Sequence, residues 1–312
     1  MSHPGILYPR LTIVGCGLIG SSLARAAREH GVVGEIVICD ASAAARERIE
    51  ALKLGDRVTG DVADAVEGAD LVIFATPVLA VGDAARAAAH AFKPGCTISD
   101  VGSVKAAVSE ALWLAAPAGV FVIPGHPIAG TERSGPDAGF AELFENRWTI
   151  LTPREIDDPA YAEAIAKLGA FWRGLGAQVE IMDEKHHDLV LAVTSHLPHL
   201  IAYNIVGTAA DLEEVTQAEV MKYSAGGFRD FTRIAASDPT MWRDIFIANK
   251  DAVLEILGRF TEDLQALSRA IRWGEADKLH ELFTRTREIR RGIIAAGQES
   301  VEPNFGRDRG KH

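Results

Sequence analysis

The sequence predicts a doubly wound α/β domain followed by an all-helical domain, and three observations predict it. Residues 11–40 read as strand, glycine-rich turn, helix and second strand ending in an acid. Apolar runs of strand length then alternate with helical stretches as far as Met182. From Asp183 to Gln298 helical periodicity continues with no convincing strand.

Residues 1–10 read as a loose lead-in, and Leu11-Thr12-Ile13-Val14 as the first strand. Gly15-Cys16-Gly17-Leu18-Ile19-Gly20 follows at once, and Ser21 to His30 reads as a helix. The three glycines have separate tasks: Gly15 makes the tight turn, Gly17 lets backbone approach a pyrophosphate, and Gly20 lets helix and strand pack closely. The helix then points its positive end at the phosphates. Glu35 to Cys39 is the second strand, and Asp40 stands 20 residues beyond Gly20. A carboxylate there accepts hydrogen bonds from a ribose 2′-OH and repels a 2′-phosphate, which predicts NAD over NADP. The glycine motif alone is weak; its strand, helix and acid make it a Rossmann-type site for Gly15, Gly17, Leu18, Ile19, Gly20 and Asp40.

Ala43 to Leu54 reads as a helix closed by Gly55. Leu71 to Ala75 is almost wholly apolar, as a parallel strand buried on both faces should be. Thr76-Pro77 ends it, beside the place of a nicotinamide ribose in this architecture. Val78 to Phe92 reads as an Ala-rich helix and Cys96 to Ser99 as the next strand. Ser103, in Asp100-Val101-Gly102-Ser103-Val104-Lys105, suits the N-cap of a helix starting near Val104. Val120 to Ile123 is a further strand, running into a rigid loop from Pro124 to Gly135. Trp148 to Leu151 and Gln178 to Met182 read as closing strands around a helix from Pro159 to Leu175.

In the second domain Asp183 to Thr208 reads as one long helix with Pro198 as its kink point. Gly226-Gly227, Ser237-Asp238-Pro239 and Gly274 separate further helices, with Asp238 as an N-cap and Pro239 at the first helical position. The expected division is 1–182 and 183–312, with a polar, disordered tail over 302–312. Trp242, Ile245, Phe246, Leu254, Ile256, Leu257 and Phe260 are a large apolar content for an isolated helical lobe, so a homodimer through this domain is expected.

The 312 residues are 48% apolar and 24% charged, the balance of an ordinary soluble protein. A net charge of −11 argues against nucleic acid or an anionic membrane as partner, while leaving a local Arg/His pocket free to take an anionic substrate. Cys16, Cys39 and Cys96 lack metal spacing and read as reduced core residues of a cytoplasmic protein. No run reaches about 18 unbroken apolar residues, and the N-terminus lacks the regions of a signal peptide, so no membrane segment is expected.

Three groups carry candidate chemistry. His126 stands at the carboxyl end of a predicted strand, where ligands bind in doubly wound sheets. A neutral imidazole there can take a proton from a hydroxyl whose carbon loses hydride to NAD⁺, or it can serve only as a backbone-bonded loop residue. His196 and His199, spaced i and i+3, share a helix face. They are either donors to a substrate carboxylate or satisfied core residues; HxxH lacks the partners of a metal signature, so no metal is expected. His186 and His187 lie in a charged segment and are expected to face solvent. Gly226-Gly227 leading to Arg229 and Arg233 can receive an anion, with a surface ion pair as the default reading of either arginine.

Together these motifs resemble the prephenate/arogenate, or cyclohexadienyl, dehydrogenase family of tyrosine biosynthesis. The resemblance rests on residues 15–22 (GCGLIGSS), 100–105 (DVGSVK), 125–132 (GHPIAGTE), 195–199 (SHLPH), 226–235 (GGFRDFTRIA) and 238–242 (DPTMW), in the family's order. It implies a Rossmann domain with an all-helical dimerisation domain, NAD as cofactor, and oxidative decarboxylation of prephenate, arogenate or both. Residue by residue, it makes His126 the catalytic histidine on the 4-hydroxyl and Ser103 a serine near that hydroxyl and the nicotinamide. Arg233 then holds a substrate carboxylate, with His199 and His196 on the substrate side. Thr131, Gly226 and Gly227 line the pocket, and Trp242 reaches across the dimer. The fused chorismate mutase or ACT domain of some relatives is not expected. The rival readings are another Rossmann-plus-helical dehydrogenase, of the β-hydroxyacid dehydrogenase or imine reductase type, and a non-catalytic NAD-binding sensor. The first should place a lysine or acid, not histidines, on the long helix.

Overall fold

The computed structural model describes residues 5–131, 133–211, 219 and 226–295. The expected tail over 302–312, Glu132 of the GHPIAGTE block and the first four residues lie outside them. Residues 1–254 form one compact unit and 255–312 a second.

The chain opens with β1 (Tyr8–Val14), α1 (Leu18–Glu29), β2 (Val33–Cys39), α2 (Ala43–Ala51) and β3 (Arg57–Thr59). Next come α3 (Val62–Val66), β4 (Leu71–Phe74), α4 (Val81–Ala88), β5 (Thr97–Asp100), α5 (Ala106–Ala115) and β6 (Phe121–Val122). These six strands are all parallel, in the order β3-β2-β1-β4-β5-β6. β4 is buried along its whole length, as its apolar run requires. One apolar layer covers each face: Leu23, Ile36, Phe171 and Trp172 belong to one, and Phe74, Val81, Ile98 and Leu112 to the other.

The lead-in is shorter than expected. β1 starts at Tyr8, which is buried and meets the Phe171 ring edge-on at 5.9 Å. An aromatic with such a partner stabilises a strand end that alternation alone does not reveal. The short elements β3 and α3 carry little periodicity; α3 forms because the Asp61 carboxylate accepts from Ala63 N and Asp64 N. The Ala-rich stretch is a helix only at Val81–Ala88, flanked by 3₁₀ turns.

A second sheet differs from the expected rigid loop. Gly125–Pro127 is a strand, β7, antiparallel to β8 (Trp148–Leu151), with His126 opposite Ile150. β8 pairs in parallel with β9 (Gln178–Ile181) across α6 (Pro159–Gly174). Proline masked this strand in the sequence, because it cannot donate to a ladder and survives only where its nitrogen needs no partner.

The helical part begins with α7 (Glu184–Leu191), a π turn over Ala192–His196, and α8 (Leu197–Ala210). One long helix with a fault near Pro198 was expected. The fault is the π turn just before the proline, where Leu197 N donates to Ala192 O. Proline has no N–H and its ring crowds the preceding turn, which the wider turn relieves. Glu184–Ala210 is long and apolar enough to cross a membrane by length and composition. Within it His187, Asp188 and His196 are buried in polar contacts. α9 (Gly226–Thr232), α10 (Pro239–Ala248), α11 (Lys250–Arg272) and α12 (Ala276–Ala295) complete the described chain. Asp238 caps α10 by accepting from Met241 N.

Candidate active site

The sheet register gathers the site. Val14, Phe74 and Asp100 stand side by side at the carboxyl ends of β1, β4 and β5. The segments that follow, starting at Gly15, Ala75 and Val101, therefore leave from one edge. Gly15 has φ +93°, and a Cβ there would stand 2.7 Å from Ala75 O. A Cβ on Gly20 would stand 2.1 Å from Gly15 O, whereas one on Gly17 would meet nothing within 4 Å. Gly17 is thus free of steric demand from its own chain. It is the N-cap of α1 and makes no side-chain cap bond, so, among the described residues, open space faces a helix start with N–H donors to offer. Leu18 and Ile19 are half-buried in that first turn.

Asp40 joins the same group. Its carboxylate accepts from Cys16 N at 2.9 Å and Ser42 N at 2.9 Å, which holds it against the turn. Thr76 Oγ1 is buried with no hydrogen-bond partner among the described residues, and Pro77 is exposed beside it. An open glycine, helix-start amides, a fixed carboxylate and an unpaired hydroxyl fit a dinucleotide.

His126 lies on the neighbouring strand. Gly125 N donates to Asp100 Oδ1 at 3.1 Å, which ties β7 to the end of β5. Lys105 Nζ reaches both Asp100 Oδ2 and Gly125 O, the latter at 2.7 Å, and both charged side chains are fully buried. Burial pushes Asp100 up and Lys105 down, and their contact opposes both shifts. The His126 ring is buried, with Nδ1 2.9 Å from His187 Nε2. Burial holds His126 well below the usual imidazole range, and the neighbouring His187, Lys105 and His196 add to the shift. The ring is therefore neutral at pH 7.

The expectation for His187 is overturned. His186 is exposed, but His187 is fully buried, and its Nδ1 is 2.8 Å from Asp188 Oδ1. Charged neighbours in the sequence concealed this. Counting back four residues from the buried Leu191 and Ala192 does reach His187 and Asp188. Asp188 also corrects the expected cap. Ser103 is half-buried and is not the N-cap of α5, which starts at Ala106; Asp188 accepts from Lys105 N at 2.7 Å and Ala106 N at 2.9 Å. The cap comes from 83 residues away, beyond the reach of any local reading.

Asn249, also unforeseen, links α7 to the π turn. Its Nδ2 donates to Asp188 O at 2.9 Å and to His196 Nδ1 at 3.1 Å. Nδ1 of His196 is thus an acceptor, leaving the proton on Nε2, which is buried with no partner among the described residues. Burial lowers the His196 pKa to about 4. His199 differs: Nδ1 donates to Ser195 O at 2.8 Å, so the neutral ring offers a lone pair rather than a proton on Nε2.

Trp242, expected at the dimer, is packed within its own chain. It is 6% exposed and stacks on His199 of the same chain, with centroids 3.6 Å apart and planes 22° apart. Trp242, Ile245 and Val104 form a small apolar cluster. Arg233 is exposed on the 3₁₀ turn Arg233–Ala236, close enough for its charge to lower the His199 pKa, after burial itself. Arg229 instead pairs with Asp230 at 3.3 Å on the surface. Gly226 and Gly227 are exposed at the start of α9, and Thr131 is exposed with its Oγ1 accepting from Arg133 N. None of these three touches the buried histidine cluster through a hydrogen bond found among the described residues.

Residues 23–181 match the family model described as prephenate dehydrogenase, nucleotide-binding domain, and residues 183–285 match prephenate dehydrogenase, dimerization domain. The chain is 44% identical over 284 residues to a cyclohexadienyl dehydrogenase of Zymomonas mobilis, covering 91% of this chain and 96% of that protein. It is 34% identical to a prephenate dehydrogenase of Bacillus subtilis, covering 91% of this chain and 76% of the relative. A crystal structure of A. aeolicus prephenate dehydrogenase, in complex with hydroxyphenyl propionate and NAD⁺, superposes with a TM-score of 0.83 at 32% identity, covering 91% of this chain and 98% of that one. On its glycine-turn domain, its buried histidine cluster and these matches, the chain belongs to the prephenate dehydrogenase family.

Proposed function

We propose that this protein catalyses the NAD-dependent oxidative decarboxylation of prephenate to 4-hydroxyphenylpyruvate in tyrosine biosynthesis, with His126 as the base. The observation that carries the role of His126 is a buried, neutral imidazole tied through Nδ1 beside the edge that bears the glycine turn. NAD⁺ supplies the hydride acceptor. Gly15, Gly17, Leu18, Ile19 and Gly20 would hold its pyrophosphate, Asp40 its adenine ribose, and Thr76, Pro77 and Ser103 the nicotinamide end.

His126 Nε2 takes the proton of the ring hydroxyl as hydride leaves the same carbon. The electron pair released when CO₂ departs from the opposite ring carbon completes the aromatic ring. His126 then returns the proton to the phenolic oxygen, so no net proton is consumed. Such general-base help contributes about 10²–10⁴ in rate. The His196 Nε2–H is a neutral donor for a substrate oxygen, and Arg233 offers a charge to a carboxylate near His199. Ser103, Thr131, Gly226 and Gly227 complete the proposed pocket.

The ring carried by both prephenate and arogenate is cyclohexadienyl, the word in the name of the Zymomonas relative, so arogenate is the second substrate to assay. We place the domain boundary at 182/183, where strands give way to helices, and the homodimer contact in the helical domain. Exposed Ile247, Leu254, Leu264, Ile271 and Trp273 support that contact, and a cytoplasmic location accords with three free, buried cysteines. Protein, NAD⁺ and prephenate are mixed and NADH absorbance is followed, then arogenate and NADP⁺ are substituted in turn. NADH formation with either cyclohexadienyl substrate supports the proposal, and none with both removes it.

A further inference from the structure

The buried histidine cluster contains two groups that the reaction above leaves unused, His187 and Asp188. Both oxygens of Asp188 receive donors: Oδ1 from Lys105 N at 2.7 Å and Oδ2 from Ala106 N at 2.9 Å. With both oxygens serving as acceptors for backbone amides at the start of a helix, the Asp188 carboxylate presents an acceptor to the ring beside it as well. The His187 Nδ1 that lies 2.8 Å from Oδ1 must therefore be the donor. A neutral ring carries one proton, so His187 Nε2 bears a lone pair. That atom is 2.9 Å from His126 Nδ1, which must in turn be the donor. The only nitrogen of His126 left with a lone pair is Nε2.

We propose that Asp188 and His187 are positioning residues for His126, fixing its tautomer and ring orientation and stabilising the imidazolium when it accepts a proton. This rests on the reading of His126 as the base. Burial keeps His187 neutral, against the pull of its Asp188 hydrogen bond, which preserves the alternation of donors and acceptors. The other titratable groups around the pair are Lys105, Asp100 and His196. Lys105 directs its ammonium at Asp100 and Gly125 O, so the charge left to answer the imidazolium is Asp188. The same carboxylate caps α5, three residues beyond Ser103, so base and Ser103 segment share one anchor. The order carboxylate, imidazole, reacting group is that of a triad with a second imidazole inserted.

The test uses His187→Leu and Asp188→Asn, each alone and with His126→Asn, with NADH binding by fluorescence as the check of fold. In the otherwise wild-type protein each variant should lose about 10²-fold or more in kcat, with NADH affinity unchanged and prephenate KM within about three-fold. Asp188→Asn should also move the acid limb of kcat to lower pH, because the imidazolium loses its counter-charge. In the His126→Asn background the same changes should cost less than about three-fold, since they act through a ring that is gone. His187→Gln, whose amide oxygen can still accept from His126 Nδ1, should recover part of the loss. Equal losses in both backgrounds, or kcat within about three-fold of wild type for both single variants, would overturn the proposal. A His126→Asn protein that itself turns over normally would instead overturn the reading of His126.

Discussion

A Cβ on Gly20 would lie 2.1 Å from the carbonyl oxygen of Gly15, so the first turn of α1 and the end of β1 are in direct backbone contact. Gly17, three residues away, has open space around it. The two glycines should therefore fail differently. Gly20→Ala forces a backbone shift and should destabilise by about 1–3 kcal/mol or more. Gly17→Ala should stay within about 1 kcal/mol of wild type in stability, yet weaken NADH binding by roughly ten-fold or more by crowding the pyrophosphate. Thermal melts beside NADH fluorescence titrations check both, and matching profiles for the two variants would contradict the assignment.

The role proposed for Asp40 is to set cofactor choice by its charge, while its oxygens brace the turn through Cys16 N and Ser42 N. Asp40→Asn keeps an acceptor and removes the repulsion of a 2′-phosphate. The NAD⁺/NADP⁺ ratio of kcat/KM should narrow by roughly five- to ten-fold, about 1 kcal/mol of screened charge interaction. An unchanged ratio would mean that another group reads the ribose.

His126, His187, His196 and His199 are all held below the ordinary imidazole pKa, chiefly by burial. A depressed folded pKa means that the unfolded chain binds protons first as pH falls. Stability is thus full above the unfolded value near 6.5 and is lost on acidification below it. For His196, with its pKa at about 4, the loss between those values is roughly 3 kcal/mol. The melting temperature should drop through this window, and His196→Gln should flatten the drop. A melting temperature constant from pH 7 to 4 would show that these rings are not buried neutral.

Arg233 is exposed, and its charge reaches His199. Arg233→Ala should raise the prephenate KM by roughly 10- to 100-fold, the worth of about 1.5–3 kcal/mol for a hydrogen bond to a charged group. The NAD⁺ KM should not move. An unchanged prephenate KM would place the carboxylate elsewhere.

What the sequence made legible was local. Strand, glycine turn, helix and Asp40 follow within 30 residues, and Asp238 caps its own helix. What it hid was long-range or masked by composition. Asp188 caps α5 from another helix, and Asn249 joins α7 to the π turn. His187 reads as a solvated residue among charges but is the buried partner of His126. Pro127 disguised a strand, and the stacking of Trp242 on His199 depends on packing between helices separated in sequence.

The central claim is that the His126 imidazole takes the hydroxyl proton, and His126→Asn tests it most directly. NADH production is followed at saturating prephenate and NAD⁺ for wild type and variant, with NADH binding as the check of fold. The variant should bind NADH and prephenate nearly as wild type does, while its kcat falls by about 10²-fold or more. A correctly folded variant with near-normal turnover would contradict the account.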